Sequence, residues 1–551
     1  MKKLIWLGCF MSLFYCTAAA QVMGSTAEVS LEIRNILESF APGKAAQVGE
    51  QHLHHPDLLI AFYSNRQFEP VWVNDGKWHE SASDLLAQIE ESKYDGLLPA
   101  SYHLSSIKEV ISRDKQQSID NGHPVHQAYV DLLLADAYFS LANDLYLGKV
   151  VQKGLQNSWE ITPKRVKVDF GEAMEKGLES GDVSKSLEDF WPRYKVYRSM
   201  RKSIKEFYEM DDSLEEKWEK VGGKTLKVNE ENKSVPAIRE RLFYWNDLPT
   251  YSVPNEELYD STMLAGVVHF QKRNGLDADG VIGKDTYSAL NASPADMIKK
   301  IAVNMERMRW LPDTVLDGRF VMVNIANFQL DYLQDNGLDT VFTSKVIVGK
   351  EYHTTPVFNG EMAYIVLSPT WTVPSSIIKR EMIPKIKKDA SYLTKNHLKI
   401  LTYSGKEVSP TSIDWSKAAS GNFPYMIRQS PGPSNSLGQA KFIFPNKHNV
   451  YIHDTPSKSL FSKDLRAFSH GCIRIQQPAE FAEILLEGDS KWDMQRIREA
   501  MNKGKETTVM LKEKVPVVLI YLTFWADPSG KAHIRKDIYE RDDAVAKALL
   551  N

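Results

Sequence analysis

Three cysteines in 551 residues leave this chain almost no covalent help in folding. Two of them, Cys9 and Cys16, fall within the first 20 residues, where Met1-Lys2-Lys3 precedes a mostly apolar run from Leu4 to Tyr15 and then Ala18-Ala19-Ala20. That pattern reads as an export signal, residues 1–20, cut after Ala20. A lipid-modified cysteine is the rival reading, and Phe14-Tyr15 speaks against it by placing bulky aromatics before Cys16. The remainder keeps one thiol, Cys472, so no internal disulfide is available and a packed core must hold the fold. Composition allows that, with 43 % hydrophobic and 25 % charged residues, and the length suits about three domains. A formal charge of −3 gives no electrostatic case for nucleic acid. After the signal, no run approaches the ~20 apolar residues of a membrane span; the longest, Val515 to Ala526, reads as a buried strand.

Residues 28–232 read as a mainly helical scaffold with short extended pieces. Asp131 to Val150 carries Leu134, Ala137, Tyr138, Leu141 and Leu145 near helical spacing, and Gly148 ends the run. Phe62-Tyr63 and Pro70 to Val73 suggest a short strand or extended segment. Residues 235–292 form a compact helical unit: Ser261 caps a helix carrying Leu264, Val267, Val268 and Phe270, Asn274-Gly275 ends it, and Asp279-Gly280 and Gly283 make tight turns. A short helix through Tyr287 and Leu290 follows, with Phe270, Leu276, Val281 and Leu290 as core. From about 298 to 530 the pattern turns to strands, beginning at Arg319, with a hairpin turn at Asp335-Asn336-Gly337. Residues 372–441 interrupt it with prolines and the basic positions Lys379, Arg380, Lys385, Lys387 and Lys388, and read as a lid or capping insert. Residues 531–551 read as a C-terminal extension. The fold class expected is multidomain α+β.

The chemistry concentrates late in the chain. Cys472 lies in Ser469-His470-Gly471-Cys472-Ile473-Arg474, with 15 residues between Ser469 and the His453 that closes a strand-like run. A thiol attacks as thiolate, and a histidine within reach takes its proton and returns it to a leaving amine. Gly471, without a side chain, lets a substrate carbonyl approach the N–H groups of Gly471 and Cys472 as an oxyanion hole. Two other readings stand beside this one. Cys472 is an inert buried strand residue, or His448, His453, His470 and Cys472 bind zinc, although their spacing matches no short metal-ligand pattern.

His453 followed by Ser469-His-Gly-Cys-Ile-Arg474 resembles the signature of the YkuD-type L,D-transpeptidases. Val348-Gly349 with Thr355-Pro356, Ser368-Pro-Thr-Trp371-Thr-Val-Pro374 and Tyr451-Ile-His-Asp-Thr-Pro456 support it. FQKRNGLDADGVIGKDTYSAL resembles a small peptidoglycan-binding domain, and the order of parts looks like the large periplasmic YcbB-like branch. The resemblance implies Cys472 as nucleophile, His453 as base and acid, and the carbonyl of Asp454 orienting His453, with a direct carboxylate–imidazole triad left open. It places Arg474, Ser469, His470, Trp371 and Tyr451 as substrate-binding candidates, a structural ion pair being the alternative for Arg474. It further implies peptidoglycan stem peptides and glycan as partners, a periplasmic location, and no metal or organic cofactor. Cross-linking between third stem residues is the activity implied. Carboxypeptidase, D-amino-acid exchange, lipoprotein anchoring and a non-catalytic scaffold are the alternatives.

Overall fold

A computed structural model describes residues 25–40, 46–74, 77–116, 123–152, 155, 159–161, 168–209, 218–312, 318–335, 339–420 and 423–551. The expected signal, with Cys9 and Cys16, and the Asn336-Gly337 turn lie outside these residues. Among the described residues no helix is long and apolar enough to cross a membrane.

The chain divides into two compact units. The first comprises residues up to Glu91, Pro99–Ala142 and Asp169–Glu188. It is built on helices Thr26–Glu38, Pro56–Asn65, Glu80–Glu91 and Leu104–Gln116 and most of Pro124–Leu147. Leu134, Ala137, Tyr138 and Leu141 of the last helix are buried, as their spacing predicts. Phe62 and Tyr63 are helical, not extended. Pro56 at the helix start is pre-set for helical φ, and the Tyr63 hydroxyl donates to buried Asp131 at 2.6 Å. Short strand pairs flank this helix, Gln47–Val48 with Gln51–His52 and Val73–Asn74 with Lys77–Trp78.

The second unit takes Ser92–Leu98, Asn143–Val168 and Asp189–Asn551, so residues 28–232 are shared between the two units. The reason is visible at Trp159–Glu160, which pairs onto the large sheet described below. The helical module within this unit consists of Val235–Tyr244, Ser261–Arg273 and Lys284–Leu290. Its middle helix is capped by Asp260, whose carboxylate accepts from Met263 N at 2.8 Å, not by Ser261. Gly280 is left-handed at φ +72°, whereas Gly283 sits at φ −100° as the next N-cap. Ile282, not Val281, fills the core.

Strands do not begin at 298. Pro294–Arg309 is a helix, started by a Ser293–Asp296 capping box and burying Met297, Ile301, Met305 and Met308. Strands follow, numbered here from the linker: β1 (Trp159–Glu160), β2 (Phe320–Asn324), β3 (Gln329–Gln334), β4 (Asp339–Gly349), β5 (Val357–Leu367), β6 (Trp371–Thr372), β7 (Leu398–Leu401), β8 (Glu407–Val408), β9 (Met426–Gln429), β10 (Ala440–Ile443), β11 (Ile452–His453), β12 (Ala467–Ser469), β13 (Ile473–Ile475) and β14 (Thr507–Ile520). The main sheet runs β10-β11-β13-β4-β3-β2-β14-β5 and closes on itself, because β5 pairs with both β14 and β10. β1 joins β5, and β12 joins β4. Four of these pairings are parallel: β11 with β13, β14 with β2, β1 with β5 and β12 with β4.

The insert is more regular than its sequence suggests. Strands β6-β9-β7-β8 form a separate antiparallel sheet, and Val373, Ile378, Ile383, Ile386, Leu398, Ile400 and Ile427 pack a small core of their own. Elements of two to six residues punctuated by proline carry too little periodicity to be read from sequence. The C-terminal extension is likewise part of the fold. Helix Asp542–Leu550 begins with Asp542, whose carboxylate accepts from Arg307 Nη1 at 2.6 Å and Thr523 Oγ1 at 2.7 Å.

Candidate active site

His453 and Cys472 meet because β11 and β13 are parallel neighbours. The register pairs Ile452 with Ile473 and His453 with Arg474. Side chains alternate along a strand, so Ile452, Ile473 and Ile475 point into the core. Tyr451, His453, Cys472 and Arg474 share the other face. On the far side of β11, strand β10 pairs Lys441 with His453, bringing Lys441 onto that face as well. Its Nζ stands 4.0 Å from the centroid of the Tyr451 ring, which itself lies 5.6 Å from the His453 ring. The sequence reading missed Lys441. A lone lysine between Ala440 and Phe442 in a buried strand was the available signal.

His453 is buried, and its Nδ1 lies 2.5 Å from the Asp454 carbonyl oxygen. An N–H must sit on Nδ1 to make that bond, which leaves a lone pair on Nε2. Burial first, then the Arg474 charge, press the imidazole down to about 3, against the carbonyls of Asp454 and Leu437, which favour the protonated ring. The ring is therefore neutral at ordinary pH. The Asp454 carboxylate turns away, accepting from Gln439 N at 2.9 Å and Lys458 Nζ at 2.5 Å. Of the two arrangements left open by the sequence, the backbone one is present and the carboxylate–imidazole contact is not. Gly438 makes room for it: a Cβ there would lie 2.3 Å from the Asp454 carboxylate, and its φ is +61°.

Burial pushes the Cys472 thiol up, while the Tyr451 N–H and hydroxyl, Lys441 and Arg474 pull it back. The thiol sulfur lies 3.8 Å from the Asn449 carbonyl, and no hydrogen bond to His453 is made among the described residues. The resting pair is neutral thiol and neutral imidazole, not a preformed ion pair.

The motif loop is stitched to itself. Gly471 N–H donates to Ser469 Oγ at 3.1 Å, and Ser469 Oγ donates to the Cys472 carbonyl at 2.5 Å. The two-donor oxyanion hole expected from Gly471 and Cys472 is thus not open as drawn, since the Gly471 N–H is engaged. Gly471 is required for its φ of +112°, not for clearance, because an added Cβ would meet only carbonyl oxygens at 3.8 Å. Beneath it, Thr355 Oγ1 donates to the Gly471 carbonyl at 2.9 Å and accepts from Gly349 N at 2.9 Å. Tyr539 in turn donates to the Gly349 carbonyl and accepts from Thr355 N at 3.3 Å. No pattern marked Tyr539 in sequence; the fold alone carries it there.

His470 leaves this group and meets Glu381 of the insert, Nε2 to Oε1, at 2.5 Å. Trp371 packs against the insert core. His448 sits beside Glu160 at 3.1 Å and against the Phe358 ring. The zinc grouping of His448, His453, His470 and Cys472 is therefore not assembled. Among the described residues, the one set of three metal-competent groups within reach of each other is His54, His103 and Asp136 in the first unit. There the Asp136 carboxylate already accepts from His54 N, His55 N and His103 Nε2, at the N-terminus of helix Pro56–Asn65. The positive end of a helix does not suit a cation.

Residues 303–498 match the L,D-transpeptidase catalytic domain, residues 233–290 a peptidoglycan-binding domain and residues 57–204 a scaffold domain. The chain thus carries a YkuD-type L,D-transpeptidase catalytic domain together with a peptidoglycan-binding domain. A Haemophilus influenzae protein named "Putative L,D-transpeptidase" is 34 % identical over 257 residues, 47 % of this chain. The match spans about half, 51 %, of that curated relative. Among solved structures, an L,D-transpeptidase from Xylanimonas cellulosilytica is 15 % identical, covering 55 % of this chain and 100 % of its own, at TM-score 0.17. One from Stackebrandtia nassauensis is 13 % identical, covering 54 % and 97 %, at TM-score 0.19. Scores this low add nothing to the fold described above.

Proposed function

We propose that the chain is a peptidoglycan L,D-transpeptidase that works outside the cytoplasm, in the periplasm, through an acyl-enzyme on Cys472. The observation that carries this reading is the shared face of β11 and β13, with a thiol and a neutral imidazole whose Nδ1 N–H is held by the Asp454 carbonyl. Cys472 Sγ attacks the carbonyl carbon of the third stem residue while His453 Nε2 accepts the thiol proton. The C–N bond breaks, and His453 gives that proton to the departing amine of D-alanine. The side-chain amine of a second stem then attacks the thioester. His453 takes its proton and returns it to sulfur as the C–S bond breaks. The product joins two third residues, and the reaction consumes no cofactor.

The test is to incubate the chain with isolated tetrapeptide-rich wall, digest it to muropeptides and identify the products by mass spectrometry. Release of D-alanine with dimers joined through third residues is expected. Tripeptides without dimers would make water the acceptor, exchanged fourth residues a free D-amino acid, and lysine-linked protein a lipoprotein. No D-alanine release would leave a non-catalytic wall-binding scaffold.

The insert serves this chemistry as a lid. Its Glu381 is bonded to His470 of the motif, which sets the insert beside the loop that carries the thiol. A transferase that favours an amine over water at ~55 M must exclude water while the thioester lasts. Glu381→Gln with His470→Ala is expected to raise tripeptide release several-fold relative to dimer formation, with a smaller change in first acylation. An unchanged ratio in the folded double variant would assign the insert to docking alone.

A further inference from the structure

Among the described residues, the base of this site is flanked by two cations that make no ion pair. Lys441 stands across β10–β11 from His453, and Arg474 stands across β11–β13 from it, all on one face. Among the described residues neither cation is in an ion pair, and Arg474 Nε is buried without any hydrogen-bond partner. The acids in the neighbourhood are committed elsewhere. Asp454 is held by Lys458 and Gln439 N, and Glu506 accepts from the N–H and hydroxyl of Thr370 at 2.8 Å each. Two like charges partly withdrawn from water, with no counter-ion in contact, are unfavourable on their own. Such an arrangement makes sense when an anion arrives with the substrate.

We propose that Lys441 and Arg474 form a seat for the free carboxylate ending the donor peptide, so that the site discriminates a C-terminal acid from its amide. This rests on the acyl-enzyme reading above. In a donor whose last residue departs as an amino acid, that carboxylate is two bonds from the leaving nitrogen, which His453 must reach. A seat beside His453 therefore delivers the nitrogen to the proton it needs. The chemistry of the two cations fits: a guanidinium fork matches the paired oxygens of a carboxylate, and an ammonium adds a point charge beside it. A thiolate, the other anion formed here, offers a single sulfur and exists only in passing. Once the amino acid leaves, the seat empties with it, and the field on the thioester changes before the acceptor amine enters.

The experiment is single-turnover acylation followed by intact mass. Wild type, Lys441→Met and Lys441→Arg each meet a tetrapeptide ending in a free acid and the same peptide ending in an amide. The pH profile of Cys472 alkylation by the neutral reagent iodoacetamide is recorded alongside. Wild type is expected to favour the acid by about tenfold or more, the scale of losing a charge-assisted pair. Lys441→Met is expected to bring the ratio toward one by slowing the acid more than the amide, Lys441→Arg to keep most of the preference, and the alkylation profile of Lys441→Met to move to higher pH, because Lys441 also pulls the thiol down. An acid-to-amide ratio near one in wild type overturns the seat. Equal slowing of both peptides in Lys441→Met, which leaves the wild-type ratio unchanged, also overturns it and assigns Lys441 to the thiolate alone. Wild type that alkylates normally yet acylates with neither peptide removes the acyl-enzyme reading itself, and the seat with it.

Discussion

Cys472→Ala is expected to abolish the covalent adduct with tetrapeptide donors, and His453→Ala to slow its formation by about 10²-fold or more, the scale of a lost general base. The pH dependence separates the two roles. With its imidazole pressed down to about 3, His453 is deprotonated throughout the neutral range, and burial holds the thiol above its ordinary value. Neither group changes state between about pH 5 and 8, so wild-type acylation should be nearly flat there. In His453→Ala the thiol must ionise unaided, and the rate should climb about tenfold per pH unit across the same window, following the thiolate fraction. Stopped acylation reactions read by intact mass at several pH values give both slopes. A wild-type rate that rises steeply between pH 5 and 8 would mean that a titrating group is missing from this account. Parallel profiles for the two proteins would remove His453 as the base.

What the sequence revealed of this site is what local chemistry marks. A lone thiol in a polar, glycine-containing turn and a histidine closing a strand are local features, and both lie where the parallel pair β11–β13 needs them. The supporting groups are not local. Tyr539 acts on Gly349 across 190 residues, and Thr355 reaches Gly471 across 116, so neither leaves a trace in nearby pattern. The oxyanion hole was drawn from Gly471 as a small residue, but backbone geometry decides, and its N–H turns to Ser469. The same division holds for the fold. Long periodic helices and alternating strands were legible, whereas the insert core is assembled from pieces too short to show a period. The helix Pro294–Arg309 does carry a local mark, the Ser293–Asp296 capping box with Pro294 at its first turn.

That helix is also where the largest loss of stability is expected. Glu306, fully buried, accepts from Arg309 Nε at 3.0 Å and Nη2 at 2.7 Å, from Trp310 Nε1 at 2.9 Å and from Val150 N at 2.7 Å. Arg309, equally buried, donates onward to the Asp95 carbonyl at 2.8 Å and to Tyr197 Oη at 3.0 Å. One carboxylate thus ties together segments near residues 95, 150, 197 and 310 that are remote in sequence. Glu306→Ala leaves a guanidinium without its counter-ion and strands two further N–H donors, at a cost of about 3–5 kcal/mol. That is a large share of the ~5–15 kcal/mol that holds a typical domain together. Glu306→Gln keeps an acceptor for Val150 and Trp310 but not the charge, so it should fall between alanine and wild type. The damage should also reach the site, because Asn304 on the same helix bonds Thr523, and Asp542 joins Thr523 to Arg307 just beyond Tyr539. Chemical denaturation followed by tryptophan fluorescence, paired with the rate of Cys472 alkylation, checks both effects. A shift below about 1 kcal/mol in Glu306→Ala would show that water or local rearrangement satisfies Arg309, and that the knot is not what fixes this helix.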